Sequence, residues 1–221
     1  MAPEGWPFIA AGWGLTALGA WSATKWSAWW WAPTIVLLLL SVWLLVFFRD
    51  PSRNGPRGDG IVIAPADGIV VSVVETDEPA YLKTRASRVS IFMSVFDVHV
   101  NRYPVSGTVA YRHYNAGKFL HAAADKASLD NEQSSIGVVG PHGPLLVRQI
   151  AGLIARRIIT DGQVGDSAAQ GARLGMIRFG SRVDVYLPVA SHPRVVVHVG
   201  DRVAAGATVL AEYAGEKGGT P

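Results

Sequence analysis

One hydroxyl in this 221-residue chain stands where it could act as a nucleophile on the backbone beside it. Ser181 follows Gly180 near the middle of Leu-Gly-Met-Ile-Arg-Phe-Gly-Ser-Arg-Val-Asp-Val-Tyr-Leu-Pro, residues 174–188. Apolar and polar residues alternate on both sides of the pair, which predicts two strands, each with one buried face. Glycine can adopt backbone angles closed to other residues, and strain stored in a tight place favours attack by a neighbouring hydroxyl. We therefore interpret the Gly180–Ser181 bond as one that the protein cuts itself.

A serine hydroxyl is a weak nucleophile at neutral pH and needs a group that takes its proton. Asp67 is one candidate, although its setting, Pro-Ala-Asp-Gly, is more often only a turn. His99 is the other, in Phe-Asp-Val-His-Val-Asn-Arg-Tyr-Pro, residues 96–104. In a strand this segment would place Phe96, Val98 and Val100 on one face and Asp97, His99 and Asn101 on the other. That polar face either lines a site or is simply solvated.

Several other kinds of site are not expected. The chain has no cysteine, which excludes disulfides, thiolate metal sites and cysteine nucleophiles. His121 and Asp125 are one helical turn apart, but no third ligand is spaced with them, so no metal site is predicted. Lys118 and Lys126 could meet a lipid phosphate, although exposed lysines are ordinary. Residues 137–143 lack the glycine spacing of a dinucleotide-binding loop.

The first 48 residues carry one acid and one base and contain two uncharged runs, 6–21 and 29–48. The second run is long enough to span a bilayer. A polar turn at Ser22–Ser27, surrounded by tryptophans, predicts a membrane hairpin that either spans the bilayer or lies in one leaflet. Arginines 49, 53 and 57 follow the second run, which places residues from 49 onward on the cytoplasmic side of the cell membrane. The net charge of +3 suits an anionic membrane surface. The basic residues are not interleaved with aromatics, so nucleic acid is not expected.

The rest of the chain predicts a mainly β fold, an antiparallel β-sandwich. Residues 49–59 form a polar linker rich in Pro and Gly, and a domain follows over 60–221. The predicted strands are 61–64, 69–74, 89–93, 107–111, 137–140 and 145–150, besides the two around Ser181. Residues 66–73 and 199–211 resemble each other and the turns and strands of lipoyl-type domains, so we expect lipoyl-like halves. Helix is expected mainly in the α-helical hairpin and around Leu120–Asp125.

Five separated motifs occur in one order along the chain. They are Pro-Ala-Asp-Gly (65–68); residues 96–104; Gly-Lys-Phe (117–119) with Asp-Lys-Ala-Ser (125–128) and Asn-Glu (131–132); Arg-Gln-Ile-Ala-Gly (148–152); and residues 177–188 followed by His-Pro (192–193). Over roughly residues 49–212 this combination resembles the short bacterial form of phosphatidylserine decarboxylase, a family of pyruvoyl enzymes.

The resemblance implies a zymogen that makes its own cofactor. Ser181 Oγ attacks the carbonyl of Gly180, and elimination and hydrolysis leave a large chain, 1–180, and a small chain, 181–221. The small chain begins with a pyruvoyl group made from Ser181, which forms a Schiff base with the amine of phosphatidylserine. The products are phosphatidylethanolamine and CO2. By resemblance Asp67 is the acidic residue for self-cleavage and His99 the acid–base residue of decarboxylation, and no metal is implied.

One position departs from the longer bacterial and eukaryotic members. They carry a second histidine where this chain has Arg102, and a guanidinium is too basic to shuttle protons. The base that assists Ser181 is therefore open between His99, serving both steps, and another histidine such as His192.

Two other functions compete with the membrane-associated decarboxylase. A membrane-anchored serine hydrolase could use Ser181, His99 and Asp67, but the chain lacks the Gly-x-Ser-x-Gly elbow, and a hydrolase predicts an intact chain. A non-enzymatic lipoyl-like membrane adaptor would need a long heptad hairpin and a lysine at a lipoyl-type turn tip, which the chain also lacks. Acyl-chain preference and assembly into a homo-oligomer stay open.

Overall fold

The computed structural model of the chain describes residues 1–117, 131–152, 157–178 and 181–213. The chain divides into two compact units, residues 1–52 and 53–221. The prediction of a mainly antiparallel β fold behind an N-terminal helical hairpin is confirmed. The predicted helix at Leu120–Asp125 lies outside the described residues. So do the His121–Asp125 pair, Lys118, Lys126 and Gly180.

The hairpin consists of α1 (Trp6–Lys25) and α2 (Trp31–Phe47). Its turn occupies residues 26–30, so the prediction of a turn at Ser22–Ser27 is wrong by about one helical turn. The helix continues because the amide of Trp26 still bonds the carbonyl of Ser22 at 2.9 Å. It ends where Ser27 adopts an extended backbone, and the Ser27 hydroxyl then accepts from the amide of Trp29 at 3.4 Å.

Small and polar residues lie between the two helices, while most of the large apolar residues face outward. Thr16 Oγ1 lies 3.1 Å from Ser41 Oγ, and a Cβ on Gly12 would stand 2.9 Å from the same Ser41 oxygen. By contrast, Trp29 is 87% exposed and Leu39 is 64% exposed. The stretch Ala28–Phe47 is 20 residues long with a mean hydropathy of 2.1. This arrangement is the reverse of a water-soluble helix pair and is typical of helices that pack in lipid.

The second half of the predicted linker is bound to the β unit. Arg57 donates to the carbonyl of Gly206 at 2.8 Å, and the amide of Gly58 donates to Gln170 Oε1 at 2.9 Å. The segment from Arg53 to Gly60 is therefore irregular but attached. The boundary between the two compact units lies before it, at Ser52.

The β unit contains fourteen strands in the part of the chain that the structure describes. They are β1 (Ile61–Ile63), β2 (Gly68–Glu78), β3 (Thr84–Met93), β4 (Val100–Arg102), β5 (Gly107–Asn115), β6 (Gln133–Gly140), β7 (Gly143–Ala151), β8 (Arg157–Thr160), β9 (Ser167–Ala168), β10 (Arg173–Arg178), β11 (Ser181–Pro188), β12 (Pro193–Val195), β13 (Arg202–Val203) and β14 (Val209–Tyr213). An eight-stranded sheet has the order β13-β2-β3-β11-β7-β6-β5-β9, and two three-stranded sheets have the orders β1-β14-β12 and β4-β10-β8.

Strand β11 lies in the interior of the large sheet, where Ser181 pairs with Met93 of β3 and Ala151 of β7. The prediction of one buried face for this strand is wrong, since all eight of its residues are buried. Val183, Val185 and Leu187 enter the main core, whereas Arg182, Asp184 and Tyr186 lie on the opposite face. Part of that face is covered because Tyr81 and Leu82, from the turn between β2 and β3, pack against the apolar cluster that contains Tyr186.

The two similar segments of the sequence lie side by side. Arg202 of β13 pairs with Ile69 of β2, and Val203 pairs with Gly68. The next residues continue the contact, because the amide of Ala205 donates to Asp67 Oδ1 at 2.7 Å. The pairing brings the end of the chain back to the Pro-Ala-Asp-Gly turn.

Candidate active site

Ser181 is the first residue of β11 and is fully buried. Its hydroxyl donates to Met93 Sδ at 3.3 Å, on the core side of the sheet. A cavity of about 410 Å³ opens on the opposite face, lined among others by Glu78, Arg88 and Arg148. Because the Ser181 side chain faces away from this cavity, the site must be built from the core side.

His99 is also fully buried and directly precedes β4. Its carbonyl accepts from the amide of Ile177 at 3.3 Å, which ties it to the strand that leads into Ser181. Its Nδ1 lies 2.9 Å from the carbonyl oxygen of Asp97. A carbonyl only accepts, so Nδ1 carries the hydrogen and Nε2 is the basic nitrogen of the neutral ring.

The predicted strand over residues 96–104 is wrong in its first half. Residues 94–97 form a turn closed by Asp97, whose Oδ2 accepts from the amide of Ser94 at 2.8 Å. Phe96 is consequently 68% exposed and does not share a buried face with Val98. The polar residues are not solvated, because His99 and Asn101 have no exposed surface.

Asp67 closes the Pro-Ala-Asp-Gly turn and is held by two partners. Besides Ala205, it accepts from Arg53 Nη2 at 2.6 Å, and its side chain is 15% exposed. The turn lies against β4, since the carbonyl of Pro65 accepts from the amide of Arg102 at 2.9 Å. The turn that carries Asp67 is thus hydrogen-bonded to Arg102, which is three residues after His99 in the chain.

The other candidates for a base are placed differently. The Arg102 guanidinium donates to the carbonyl of Gly171 at 3.0 Å. His192 is exposed and follows the far end of β11, at a strand length of about 24 Å from Ser181. In the described part of the chain, His99 is the only fully buried histidine.

Three residues near Ser181 were not assigned a role from the sequence. Asn101 Nδ2 contacts the same Met93 sulfur at 3.7 Å, and Gln149 Nε2 donates to Asn101 Oδ1 at 2.8 Å. A signal for Gln149 exists, because it is the one amide on the β7 face shared by Leu145, Val147 and Ala151. Met93 carries no comparable signal in the sequence.

The Asn131–Glu132 motif approaches the site from β6. Asn131 Nδ2 donates to the carbonyl of Ala151 at 2.8 Å, and Ala151 is the β7 partner of Ser181. Glu132 Oε1 accepts from the Tyr114 hydroxyl at 2.9 Å, which raises the pKa of that phenol together with its burial. Motifs far apart in the sequence therefore converge on the start of β11.

Comparison with known proteins decides the family. A family model described as phosphatidylserine decarboxylase matches residues 40–211. This chain belongs to the phosphatidylserine decarboxylase family. The phosphatidylserine decarboxylase proenzyme of Symbiobacterium thermophilum is 48% identical over 211 residues, covering 95% of this chain and 94% of the relative. That of Cupriavidus pinatubonensis is 44% identical over 214 residues, covering 96% and 94%.

The family assignment confirms the resemblance drawn from the five motifs and makes the chain a decarboxylase of this family, not an adaptor. Asp67, His99 and Ser181 all lie inside the matched range. The similarity to the two relatives covers more of the chain than the β unit alone and extends into the hydrophobic hairpin.

Proposed function

We propose that this chain is a membrane-anchored proenzyme that cuts itself before Ser181 and then decarboxylates phosphatidylserine to phosphatidylethanolamine and CO2. The observation that carries the proposal is the placement of Ser181. It is a fully buried hydroxyl at the first residue of an interior strand, and Ile177 of the preceding strand, β10, is hydrogen-bonded to the carbonyl of His99. Such a position serves no packing purpose that an alanine would not serve as well.

Self-cleavage begins when Ser181 Oγ attacks the carbonyl carbon of residue 180 and its proton passes to a base. The C–N bond then breaks, the nitrogen takes up a proton, and an ester joins residue 180 to Ser181. Loss of the Ser181 α-proton breaks the ester C–O bond and releases the carboxylate of the large chain. Water hydrolyses the remaining amino-acrylate to a pyruvoyl group and ammonia.

The surroundings of Ser181 fit this group, because they are buried and already hold a polar side chain of similar size. When formed, the pyruvoyl group supplies a carbonyl that condenses with the substrate amine and takes up the electron pair left by departing CO2. His99 Nε2 is the atom that would move the protons in both stages, since Nδ1 is committed to Asp97. Asp67, bonded to Arg53 and Ala205, holds its turn against β4 during self-cleavage.

The hairpin gives the enzyme access to a substrate that is itself a membrane lipid. Its outward apolar surface suits a bilayer, and the arginines after α2 favour a cytoplasmic β unit next to anionic lipid. After cleavage, the large and small chains would stay associated because β11 remains hydrogen-bonded between β3 and β7.

Denaturing mass spectrometry of the purified full-length protein tests the proposal. We expect two chains, 1–180 and 181–221, with the small chain blocked to N-terminal sequencing, and decarboxylation of phosphatidylserine in mixed micelles. Ser181→Ala should give a single inactive chain of 23.6 kDa. Ser191→Ala is a matched control, because Ser191 lies beyond the other end of β11, where its hydroxyl donates to the carbonyl of Pro188 and contacts Tyr213, far from Ser181. An active preparation made only of uncut chain would contradict the proposal and favour a serine hydrolase.

A further inference from the structure

A chain of hydrogen bonds through four strands ends at the sulfur that holds Ser181. The Thr160 hydroxyl donates to Gln149 Oε1 at 2.8 Å, and Gln149 Nε2 donates to Asn101 Oδ1 at 2.8 Å. Asn101 Nδ2 then contacts Met93 Sδ at 3.7 Å, and the Ser181 hydroxyl donates to the same sulfur at 3.3 Å. The chain thus links β8, β7, β4 and β3 to the first residue of β11.

In this series of hydrogen bonds, the donor and acceptor of each bond are fixed by the bond before it. Because Thr160 donates to the oxygen of the Gln149 amide, the NH2 group of that amide must face Asn101. Asn101 accepts with its oxygen, so its own NH2 group must face the Met93 thioether. The Ser134 hydroxyl, 2.7 Å from Thr160 Oγ1, donates to it and closes the outer end.

The two amides in this series of hydrogen bonds are buried, so water does not replace a partner that is lost. Asn101 has no exposed surface, and Gln149 is 1% exposed. Unsatisfied groups at such depth are costly, so each of the two amides depends on its hydrogen-bond partners to keep its orientation. A thioether is also a weak acceptor, so the sulfur orients the Ser181 hydroxyl without competing strongly for its proton.

We propose that Asn101 is a positioning residue for self-cleavage, oriented by Gln149 and acting on Ser181 through Met93. The amide of Asn101 fixes the thioether, and the thioether fixes the rotamer from which the Ser181 hydroxyl attacks. The proposal rests on the proposed function, in which Ser181 is the nucleophile. It assigns Asn101 no contact with the reacting atoms.

The test is a double-mutant cycle on the rate of self-cleavage. Full-length chains are made in a synchronised cell-free translation with detergent, and the conversion of precursor to two chains is followed with time. Asn101→Leu and Met93→Leu remove the two ends of the proposed link while preserving volume. Each should slow conversion by about tenfold, the effect of one net hydrogen bond. The double variant should be no slower than the slower single variant, because both remove the same link.

Two further variants separate positioning from general stability. Thr160→Val, at the outer and less buried end, should slow conversion by about threefold without unfolding the protein. Ser135→Ala is the matched control, since Ser135 neighbours Ser134 on β6 but faces the other side of the sheet and bonds Arg148 at 3.1 Å. It should leave the conversion rate unchanged even where it lowers the melting temperature.

The outcomes are distinct for the two proposals. If the wild-type chain stays uncut, the proposed function fails. If the wild-type chain is cut, and both Asn101→Leu and Thr160→Val are cut at the wild-type rate, the positioning role of Asn101 fails. The positioning role would also be overturned if the double variant were slowed by the product of the two single effects. So would a cleavage rate that follows the melting temperature across all variants, including Ser135→Ala.

Discussion

His99 shows how much a single hydrogen bond decides at the residue scale. The sequence offered a histidine with two equivalent ring nitrogens, and the carbonyl of Asp97 makes them inequivalent by fixing the hydrogen on Nδ1. Arg102 stands where the resemblance places a second histidine in the longer enzymes. Its guanidinium donates to the carbonyl of Gly171. His192 is exposed beyond the far end of β11, so our proposal assigns proton transfer in both stages to His99.

We predict that His99→Gln impairs self-cleavage as well as decarboxylation. A positioned general base contributes about 100-fold or more, so the precursor should convert at least that much more slowly. Any chain that has been cut should still decarboxylate poorly, because the same nitrogen serves the second stage. Time-resolved gels of precursor conversion and CO2 release per cut chain measure the two effects separately. The exposed His192 supplies the control, since His192→Gln should behave as wild type. Normal conversion of His99→Gln would restrict His99 to decarboxylation.

The residues of the site differ in how far the sequence could predict them. Ser181, His99 and Asp67 lie in local motifs whose residue types suggest chemistry, so a linear reading finds them. The link from Gln149 to Asn101 joins positions 48 apart and exists only because β7 and β4 meet in the fold. Met93 is missed for a different reason, since methionine in a buried strand looks like ordinary core and its sulfur becomes informative only beside a hydroxyl.

At the element scale, β11 carries both the proposed cleavage site and a buried ion pair that bears on stability. It begins with Ser181, the proposed nucleophile, and pairs with both neighbouring strands along most of its length. Its second face carries an ion pair, Arg182 to Asp184 at 2.9 Å, with side chains 2% and 0% exposed. Period-two alternation correctly predicted which residues share a face. It could not predict that Tyr81 and Leu82 cover part of the charged one, because the turn that carries them lies a hundred residues away.

Breaking this ion pair should cost more than replacing it. Arg182→Met removes the ion-pair partner of the buried Asp184, and we expect a loss of about 3–5 kcal/mol in the free energy of unfolding. The double variant Arg182→Met/Asp184→Leu should recover most of that loss, because an apolar pair of similar volume needs no compensation. Urea unfolding of the uncut Ser181→Ala protein, followed by β-sheet circular dichroism, measures both. A double variant less stable than the single one would show that the pair contributes net stability.

The helical hairpin makes a second prediction at this scale. The chain is free of cysteine, so Thr16→Cys/Ser41→Cys introduces one pair at positions whose side-chain oxygens lie 3.1 Å apart. We expect this pair to form an intramolecular disulfide on mild oxidation in detergent. Adding Gly12→Leu should lower the yield, because its side chain would collide with Leu44 and with the side chain at position 41. Gly14→Leu is the matched control, as nothing lies within 4 Å of its Cβ. Equal yields with the two leucines would contradict this helix pairing.

At the scale of the whole molecule, the sequence shows where the composition changes more clearly than it shows the order of strands in the sheets. The change from uncharged to polar sequence after Phe48 is abrupt, and the compact units meet at Ser52. The short strands β8, β12 and β13 have too few residues to show a period, and they exist through pairing with β10, β14 and β2. Hydropathy likewise found both helices, while the end of α1 was set by the conformation of Ser27.

We predict that the hairpin inserts into a membrane, and the distribution of tryptophan allows a direct measurement of this insertion. All eight tryptophans occur within the first 43 residues, so intrinsic fluorescence reports on the hairpin alone. With vesicles of phosphatidylcholine and phosphatidylserine whose acyl chains are brominated, the full-length Ser181→Ala protein should be strongly quenched. Quenching should persist at high salt, because burial of apolar side chains does not depend on charge screening. Quenching that disappears at high salt would instead mean surface adhesion through arginines 49, 53 and 57, and unbrominated vesicles provide the baseline.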